Sequence, residues 1–232
     1  MINRTHDWDL TADQAAALQS ELAGAVVRGD ELGSVSRVAG VDVAYTEKAD
    51  RAVAAVAVLD AVSLAPVEIA VAEATVRFPY IPHLFSFREL PPILEALGRL
   101  RTPPDLVLCD GHGIAHPRRF GLASHLGVLT GMPTIGCAKT RLVGRHDEPS
   151  PARGSRAPLI DEEEVVGAAL RTQAGVRPVY VSIGHRISLD SACDWVLRLA
   201  PRYRLPETTR AADQAVRTML RSPKPTAPAV RD

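Results

Sequence analysis

Three strand-like runs follow one another early in the chain and restrict the fold more than any other feature. They cover residues 35–45, 51–59 and 64–76, and the short polar connections TEKAD and DAVS join them. Connections this short join antiparallel neighbours, so we expect a β-meander. The third run alternates apolar and polar residues, which is typical of a half-exposed edge strand.

Helices and strands alternate through the rest of the chain. Ahead of the meander, Thr11 and Gln14 form a capping box, which predicts an amphipathic N-terminal helix. After the meander we expect, in chain order, a proline-rich element at 78–92, a helix running to about Leu100, a strand at 106–109, a helix near 119–130, a strand at 134–138, a polar segment at 145–164, a helix at 163–172, a strand at 178–183, and helices at 189–199 and 207–220.

This order of elements defines a fold class. Three antiparallel strands followed by helix–strand–helix–strand units predict a mixed α/β sheet flanked by helices, in which the first and fourth strands can be neighbours. We expect residues 1–221 to form a single domain, because 232 residues suit one domain with extensions. Residues 222–232 are rich in proline, and we expect a disordered tail there.

Charge and cysteine content exclude several classes of protein. The 27 basic residues balance the 27 acidic ones, so the chain is not a general polyanion binder, although a local basic groove fits this balance. Cys109, Cys137 and Cys193 contain no CxxC pair, which indicates buried thiols in a reducing compartment. No apolar leader or membrane-spanning run occurs, so we expect a cytoplasmic protein without a membrane partner. The balanced charge and the absence of a long exposed apolar run favour a monomer.

Two aspartates lie where open α/β sheets place ligands. Asp42 lies inside GVDVAY, and an ionised carboxylate in an apolar strand is costly unless it is paired or bound to a metal. Asp110 closes the strand LVLC and precedes Gly111. Taken singly, Asp42 could equally be a salt-bridged strand residue, and Asp110 a turn residue. On neighbouring strands, they predict a site for a hard cation such as Mg²⁺, suited to phosphodiester hydrolysis.

Glu89 and Lys139 are candidates to complete this site. Glu89 could instead close a capping box with Ser86. Pro91 and Pro92, however, favour a helix that starts later than Ser86. Lys139 follows the strand TIGCA and is one of three lysines against 24 arginines. Beside two acids it would balance their charge or contact a phosphate; the alternative is an ordinary surface lysine.

The segment Pro79-Tyr80-Ile81-Pro82 is the most unusual part of the chain. Its prolines stiffen the backbone, and a stiff loop that presents Tyr80 and Ile81 could enter between bases as a wedge. Two alternatives stay open: a tyrosine packed on the core, and a PxxP ligand for an SH3-type partner.

A zinc site is one hypothesis for three histidines, His112, His116 and His125, which lie close together in the sequence. Gly113 and Pro117 interrupt any helix between the first two, so His112 and His116 do not share a helical face as zinc ligands would. We favour a phosphate-facing loop in which His116, followed by proline and two arginines, contacts DNA.

Several separate segments resemble the endonuclease V family. They lie in the family's order and spacing over roughly residues 10–220, and motifs of this length are very specific. The matching segments are GVDVAY, FPYIPHLFSFRE, DGHGIAHPRRFGLASHLG, GCAKTRLVG, SIGHRISLDSA and LPETTRAAD. The resemblance implies a ribonuclease H-like fold and Mg²⁺-dependent cleavage of DNA containing deoxyinosine. Mn²⁺ would substitute, and single-stranded DNA or RNA are further candidate substrates.

The resemblance also implies a role for each matched residue. The family cuts the second phosphodiester bond 3′ to the lesion and leaves 3′-hydroxyl and 5′-phosphate ends. On this basis the metal ligands are Asp42 and Asp110, the further catalytic residues are Glu89 and Lys139, and the DNA-separating wedge is Pro79, Tyr80, Ile81 and Pro82. Asp213 matches a position where family members often carry another acid near the site.

One departure from the family pattern is His83, which follows PYIP where the family usually has glycine. A side chain at this position would crowd the lesion pocket or fix the loop in a different conformation. The competing hypotheses are a ribonuclease H-like nucleic-acid-binding module without lesion specificity, and a PxxP scaffold that has lost catalysis. The intact set of Asp42, Glu89, Asp110 and Lys139 counts against the scaffold.

Overall fold

The computed structural model describes residues 5–47 and 50–221, so the proline-rich tail expected at 222–232 lies outside the described residues. The strands are β1 (Arg37–Tyr45), β2 (Arg51–Asp60), β3 (Pro66–Thr75), β4 (Leu106–Cys109), β5 (Thr134–Ala138), β6 (Arg156–Asp161), β7 (Glu164–Leu170) and β8 (Val179–His185). The helices are α1 (Ala12–Ala23), α2 (Ser86–Gly98), α3 (Leu122–Thr130), α4 (Leu189–Leu199) and α5 (Glu207–Arg221). Within these residues, no helix is long and apolar enough to cross a membrane.

The strands form one mixed sheet in the order β3-β2-β1-β4-β5-β8-β7-β6. The predicted meander is confirmed, because β1 pairs antiparallel with β2, and β2 with β3. The predicted neighbourhood of the first and fourth strands is also confirmed: β4 runs parallel to β1, and β5 parallel to β4. Beyond β5 the pairing returns to antiparallel through β8, β7 and β6.

Helices cover both faces of this sheet. On one face, Leu90 of α2 and Leu126 of α3 belong to a buried cluster with Val107 of β4. On the other, Val196 of α4 packs in a second cluster with Leu108. Val107 and Leu108 are adjacent and point to opposite faces, as pleated strands require. The central strands are therefore apolar on both sides, which is typical of a sheet buried between two helical layers.

Gly40 lets α5 lie directly against β1. A Cβ at Gly40 would lie 2.2 Å from the carbonyl carbon of Thr208, in the first turn of α5. Any side chain at this position would push the helix away from the strand. This close approach brings the middle of α5, including Asp213, towards the carboxyl-terminal half of β1.

The predicted helix at 163–172 is wrong, because this segment is strand β7. It forms a hairpin with β6, a strand inside the expected polar segment. Glu162 and Glu163 make the turn with φ of 51° and 71°. Asn-Gly is the usual signal for such a turn, and glutamates in the left-handed region are uncommon. Arg119 stabilises the hairpin through ion pairs with Asp161 (2.8 Å) and Glu164 (2.6 Å).

The expectation that helix α2 starts later than Ser86 is also wrong. The helix begins at Ser86, with Pro91 and Pro92 inside it. The capping box does not form either: Phe85 occupies the N-cap position without a side-chain hydrogen bond. The Ser86 hydroxyl instead pairs with Nδ1 of His125 at 3.1 Å. Glu89 is therefore in the first turn of α2 and is free of a capping role.

Candidate active site

Strand alternation brings Asp42, Asp110 and Lys139 to one face of the sheet. Asp110 directly follows Cys109, which pairs with Val41, so Asp110 lies beside Asp42 on the neighbouring strand. Gly40 contacts α5, and Asp42, two residues on, points to the same face. Lys139 follows β5, and its Nζ donates to a carboxylate oxygen of Asp110. The two predicted metal ligands and the predicted lysine therefore converge.

The carboxylates of this cluster repel one another. Burial, followed by the charges of Asp110 and Asp213, raises the pKa of Asp42 to about 7, while Lys139 acts in the opposite direction. Burial acts to lower the pKa of Lys139, but the hydrogen bond and charge of Asp110, with Asp42 and Asp213, raise it above its ordinary value. Lys139 is therefore a stable cation that partly neutralises an acid cluster.

Glu89 reaches the cluster from the α2 layer. Burial and the charges of Asp42 and Asp110 raise the pKa of its carboxyl to about 8, against the hydrogen bond from Tyr45. The Tyr45 hydroxyl donates to Oε1 of Glu89 at 3.3 Å, and the Arg88 guanidinium lies 4.5 Å from the centre of the Tyr45 ring. The sequence did not point to Tyr45 as a partner of Glu89. Alternation in GVDVAY is the signal that could have found it, because it places Tyr45 on the face of the sheet opposite to Asp42.

Asp213 lies close enough to contribute to the site's charge. It is on α5, where its Oδ1 accepts a hydrogen bond from Nε of Arg217 at 2.8 Å. Its charge nevertheless raises the pKa of both Asp42 and Lys139. This placement agrees with the further acid that the family resemblance implies.

The donor set suits a hard divalent cation. Mg²⁺ keeps several of its waters and binds through one or two carboxylates, which Asp42 and Asp110 could provide. Across residues 5–47 and 50–221, no three His, Cys, Asp or Glu side chains come together as a complete ligand set. Burial first, and then the charges of the neighbouring acids, raise the pKa values of Asp42 and Glu89, so the ionised carboxylates lack full stabilisation in the free protein. A cation at this place would stabilise them.

The predicted wedge is a rigid turn with one outward ring. The Tyr80 side chain is 74% exposed, which excludes the alternative of a tyrosine packed on the core. Pro79 and Pro82 are exposed as well, whereas Ile81 is half-buried and packs against an apolar cluster. The amide of Leu84 donates to the carbonyl of Ile81 at 3.0 Å and closes a turn around Pro82 and the next residue.

His83 holds this turn in a conformation that favours glycine. Its φ is 69°, in the left-handed region, at the third position of the turn. Its carbonyl accepts hydrogen bonds from Nε2 of Gln19 (3.0 Å), Nε2 of His116 (2.9 Å) and Nη2 of Arg118 (3.4 Å). Gln19, fully buried on α1, also accepts from Nε of Arg118 at 2.7 Å. No motif in the sequence pointed to Gln19.

The predicted phosphate contact of His116 does not match its position. Its imidazole is buried, with 1% exposure, and donates to the wedge turn rather than facing solvent. Burial lowers its pKa to about 3, so the ring is neutral. His112 is also neutral, since burial lowers its pKa to about 4, and its Nε2 pairs with the carbonyl of Thr140 at 3.1 Å. His125 pairs with His6 and Ser86. Each of these rings supports the structure around it.

The mixed sheet of this order, flanked by helices, is a ribonuclease H-like fold, and the acids on β1 and at the end of β4 suit a nuclease. The family model for Endonuclease V matches residues 20–214. The chain belongs to the Endonuclease V family, and it is therefore a nuclease. The family resemblance and the fold class predicted from the sequence are both confirmed.

Individual relatives agree with this assignment. Endonuclease V of Streptomyces avermitilis is 54% identical over 217 residues, covering 92% of this chain and 94% of the relative. The crystal structure of Endonuclease V from the same organism superposes with a TM-score of 0.88 at 53% identity, over 92% of this chain and 94% of that one. Ciona intestinalis Endonuclease V in complex with DNA containing an inosine followed by a ribo-adenosine has a TM-score of 0.78 at 29% identity, over 88% and 95% of the two chains.

Proposed function

We propose that this protein is a DNA repair endonuclease that hydrolyses the second phosphodiester bond 3′ to a deoxyinosine and leaves 3′-hydroxyl and 5′-phosphate ends. The observation that carries the proposal is the convergence of Asp42, Asp110 and Lys139 in a chain of the Endonuclease V family. The inosine-containing DNA bound to the Ciona relative supports the substrate. We expect a monomer that works in a reducing compartment such as the cytoplasm, where its three free, buried cysteines would stay reduced.

Asp42 and Asp110 would hold Mg²⁺, with Mn²⁺ as a substitute of the same ligand preference. The bound ion would lower the pKa of water and stabilise the leaving oxygen. Glu89, with its raised pKa, is able to hold a proton near neutral pH and can exchange one with water beside the scissile phosphate. Lys139 provides a compact positive charge for a phosphate oxygen.

The wedge turn would keep the duplex open beside the lesion. Extracting a base costs a few kcal/mol of stacking and pairing, and the cost is lowest where pairing is already weak, as it is for hypoxanthine. The exposed Tyr80 ring can fill the vacated space, with Pro79, Ile81 and Pro82 giving it a stiff base. His116 contributes indirectly, because it holds the backbone of the turn.

The direct test is cleavage of a duplex with one deoxyinosine, beside an undamaged duplex of the same sequence. We expect a single cut in the presence of Mg²⁺ and none after chelation. End-labelled products on a sequencing gel would map the bond, and ligation of the purified ends would reveal their chemistry. Equal cleavage of both duplexes would support the competing hypothesis of a ribonuclease H-like protein without lesion specificity.

A second substrate class is favoured by one comparison. The DNA in the Ciona complex carries a ribo-adenosine after the inosine. The same assay should therefore include a strand with a single ribonucleotide 3′ to the inosine, a single-stranded DNA and an inosine-containing RNA. Relative cleavage rates on these substrates and on the deoxyinosine duplex would define whether the sugar or the base decides specificity.

A further inference from the structure

A basic groove includes Lys139, the lysine that is paired with Asp110. Its cavity has a volume of about 570 Å³. The residues that line it are Lys139, Thr140, Arg141, His146, Glu148, Arg177, Pro178, Tyr180 and Arg204. The chain as a whole has no net charge, so this concentration of cationic side chains is a local feature.

Most of the positive charge in this groove is not neutralised by acids. Arg141 and Arg177 are exposed, and neither side chain makes an ion pair with any residue in the described part of the chain. Lys139 is paired with Asp110. Among the described residues, Glu148 is the one acid in the lining, and its carboxylate is engaged by Arg171. The groove therefore presents two guanidinium groups to an anionic ligand.

Arg204 gives the groove a fixed floor. Its Nη2 donates to the carbonyls of Lys139 (2.6 Å) and Pro178 (2.8 Å), and its Nε to the carbonyl of Arg177 (3.0 Å). These bonds join the end of β5 to the start of β8. Since each of these partners is a neutral carbonyl, the bonds leave the charge of Arg204 available in the groove.

The groove and the wedge turn are built from different elements of the fold. The wedge turn packs against α1 and the first turn of α2, whereas Arg204 lies in the segment that leads into α5. Helices α2 and α5 cover opposite faces of the sheet, and Asp110 and Lys139 lie between them. A strand that passes from the wedge to the scissile phosphate would continue past Lys139 into the groove.

We propose that this groove binds the phosphate backbone of the cleaved strand on the 3′ side of the cut bond. The inference rests on the proposed function, because the direction follows from a lesion held at the wedge and a cut 3′ to it. Arg141 and Arg177 contact successive phosphates, since a planar guanidinium matches a phosphate in a bidentate manner. The His146 and Tyr180 rings, 5.5 Å apart, offer faces on which an unpaired base can stack.

The test compares binding of inosine-containing duplexes by the wild type and by the double variant Arg141→Ala/Arg177→Ala, with Ca²⁺ in place of Mg²⁺. One duplex has long arms on both sides, one has a 3′ arm that ends just beyond the cut, and one has a shortened 5′ arm. Fluorescence anisotropy over a series of salt concentrations measures Kd and its salt dependence. Arg101→Ala is the matched control, because Arg101 is an exposed arginine that precedes β4, at the opposite end of the strand from Asp110.

We expect the double variant to bind the long duplex at least tenfold more weakly, with a salt slope smaller by about 0.7 to 0.9 for each phosphate that it no longer neutralises. It should match the wild type on the duplex with the short 3′ arm. Equal losses on both shortened duplexes, or an unchanged salt slope, would overturn the proposal while leaving the proposed function intact. A wild type that does not cut deoxyinosine DNA in Mg²⁺ would overturn the proposed function, and the groove assignment with it.

Discussion

Replacing Gln19 with methionine should both destabilise the protein and loosen the wedge turn. Methionine keeps the length of the side chain but removes three hydrogen bonds, which join the Gln19 amide to His83 (3.0 Å), Phe120 (3.0 Å) and Arg118 (2.7 Å). Neutral hydrogen bonds contribute about 0.5–1.5 kcal/mol each, and one to a charged group about 1.5–3 kcal/mol. The Phe120 carbonyl would stay buried without this donor, so we expect a loss of about 3 to 5 kcal/mol.

Urea unfolding followed by circular dichroism measures this loss, and the melting temperature should fall by roughly 10 °C for a chain of this size. Gln214→Met is the matched control, because Gln214 is an exposed glutamine on α5. The Kd for inosine-containing duplex should rise further than the Kd for the same lesion in single-stranded DNA. A loss below about 1 kcal/mol would refute the reasoning, since it would mean that the three bonds add almost nothing beyond those made to water in the unfolded state.

Four further predictions concern the site itself. Asp110→Ala should abolish cleavage and leave the melting temperature nearly unchanged, because it removes both a proposed metal ligand and a like-charge repulsion; measurable cleavage would exclude its role. Lys139→Arg should lower kcat at least tenfold with little change in Kd for DNA, because a planar fork replaces a compact ammonium, and a wild-type rate for Lys139→Ala would show that the lysine is only surface charge. Tyr80→Ala should weaken binding to an inosine duplex by about tenfold, as stacking on one ring is worth about 1–3 kcal/mol, and equal defects on duplex and single strand would rule out a wedge. In the metal-free protein, Asp42 and Glu89, with pKa values of about 7 and 8, keep protons that the unfolded chain has already lost. As the pH rises from about 7.5 to 8.5, a range in which the unfolded histidines have already lost their protons, the free energy of unfolding should therefore fall, and Mg²⁺ should oppose this fall; a flat urea-unfolding profile in EDTA would contradict it.

The parts of the site that follow strand alternation could be predicted from the sequence. Asp42 and Asp110 share a face because β1 and β4 are parallel neighbours, an arrangement that the order of elements permits. The β6–β7 hairpin could not be predicted, since Glu162 and Glu163 adopt left-handed φ values in a segment whose composition favours a helix. The support of the wedge was equally hidden, because Gln19 is 64 residues away from His83 and meets it only through the packing of α1.

The acid cluster brings like charges together, and their repulsion favours a bound cation. Folding places Asp42, Glu89 and Asp110 within reach of each other's charge, and Lys139 offsets them only in part. At neutral pH, two of the three carboxyls would hold protons much of the time. If the cluster served only as a structural ion pair, one aspartate beside Lys139 would balance the charge of the lysine without repulsion from further acids. A site that binds a divalent ion does need the further acids, because carboxylates that repel one another in the free protein become the ligands of a hard cation.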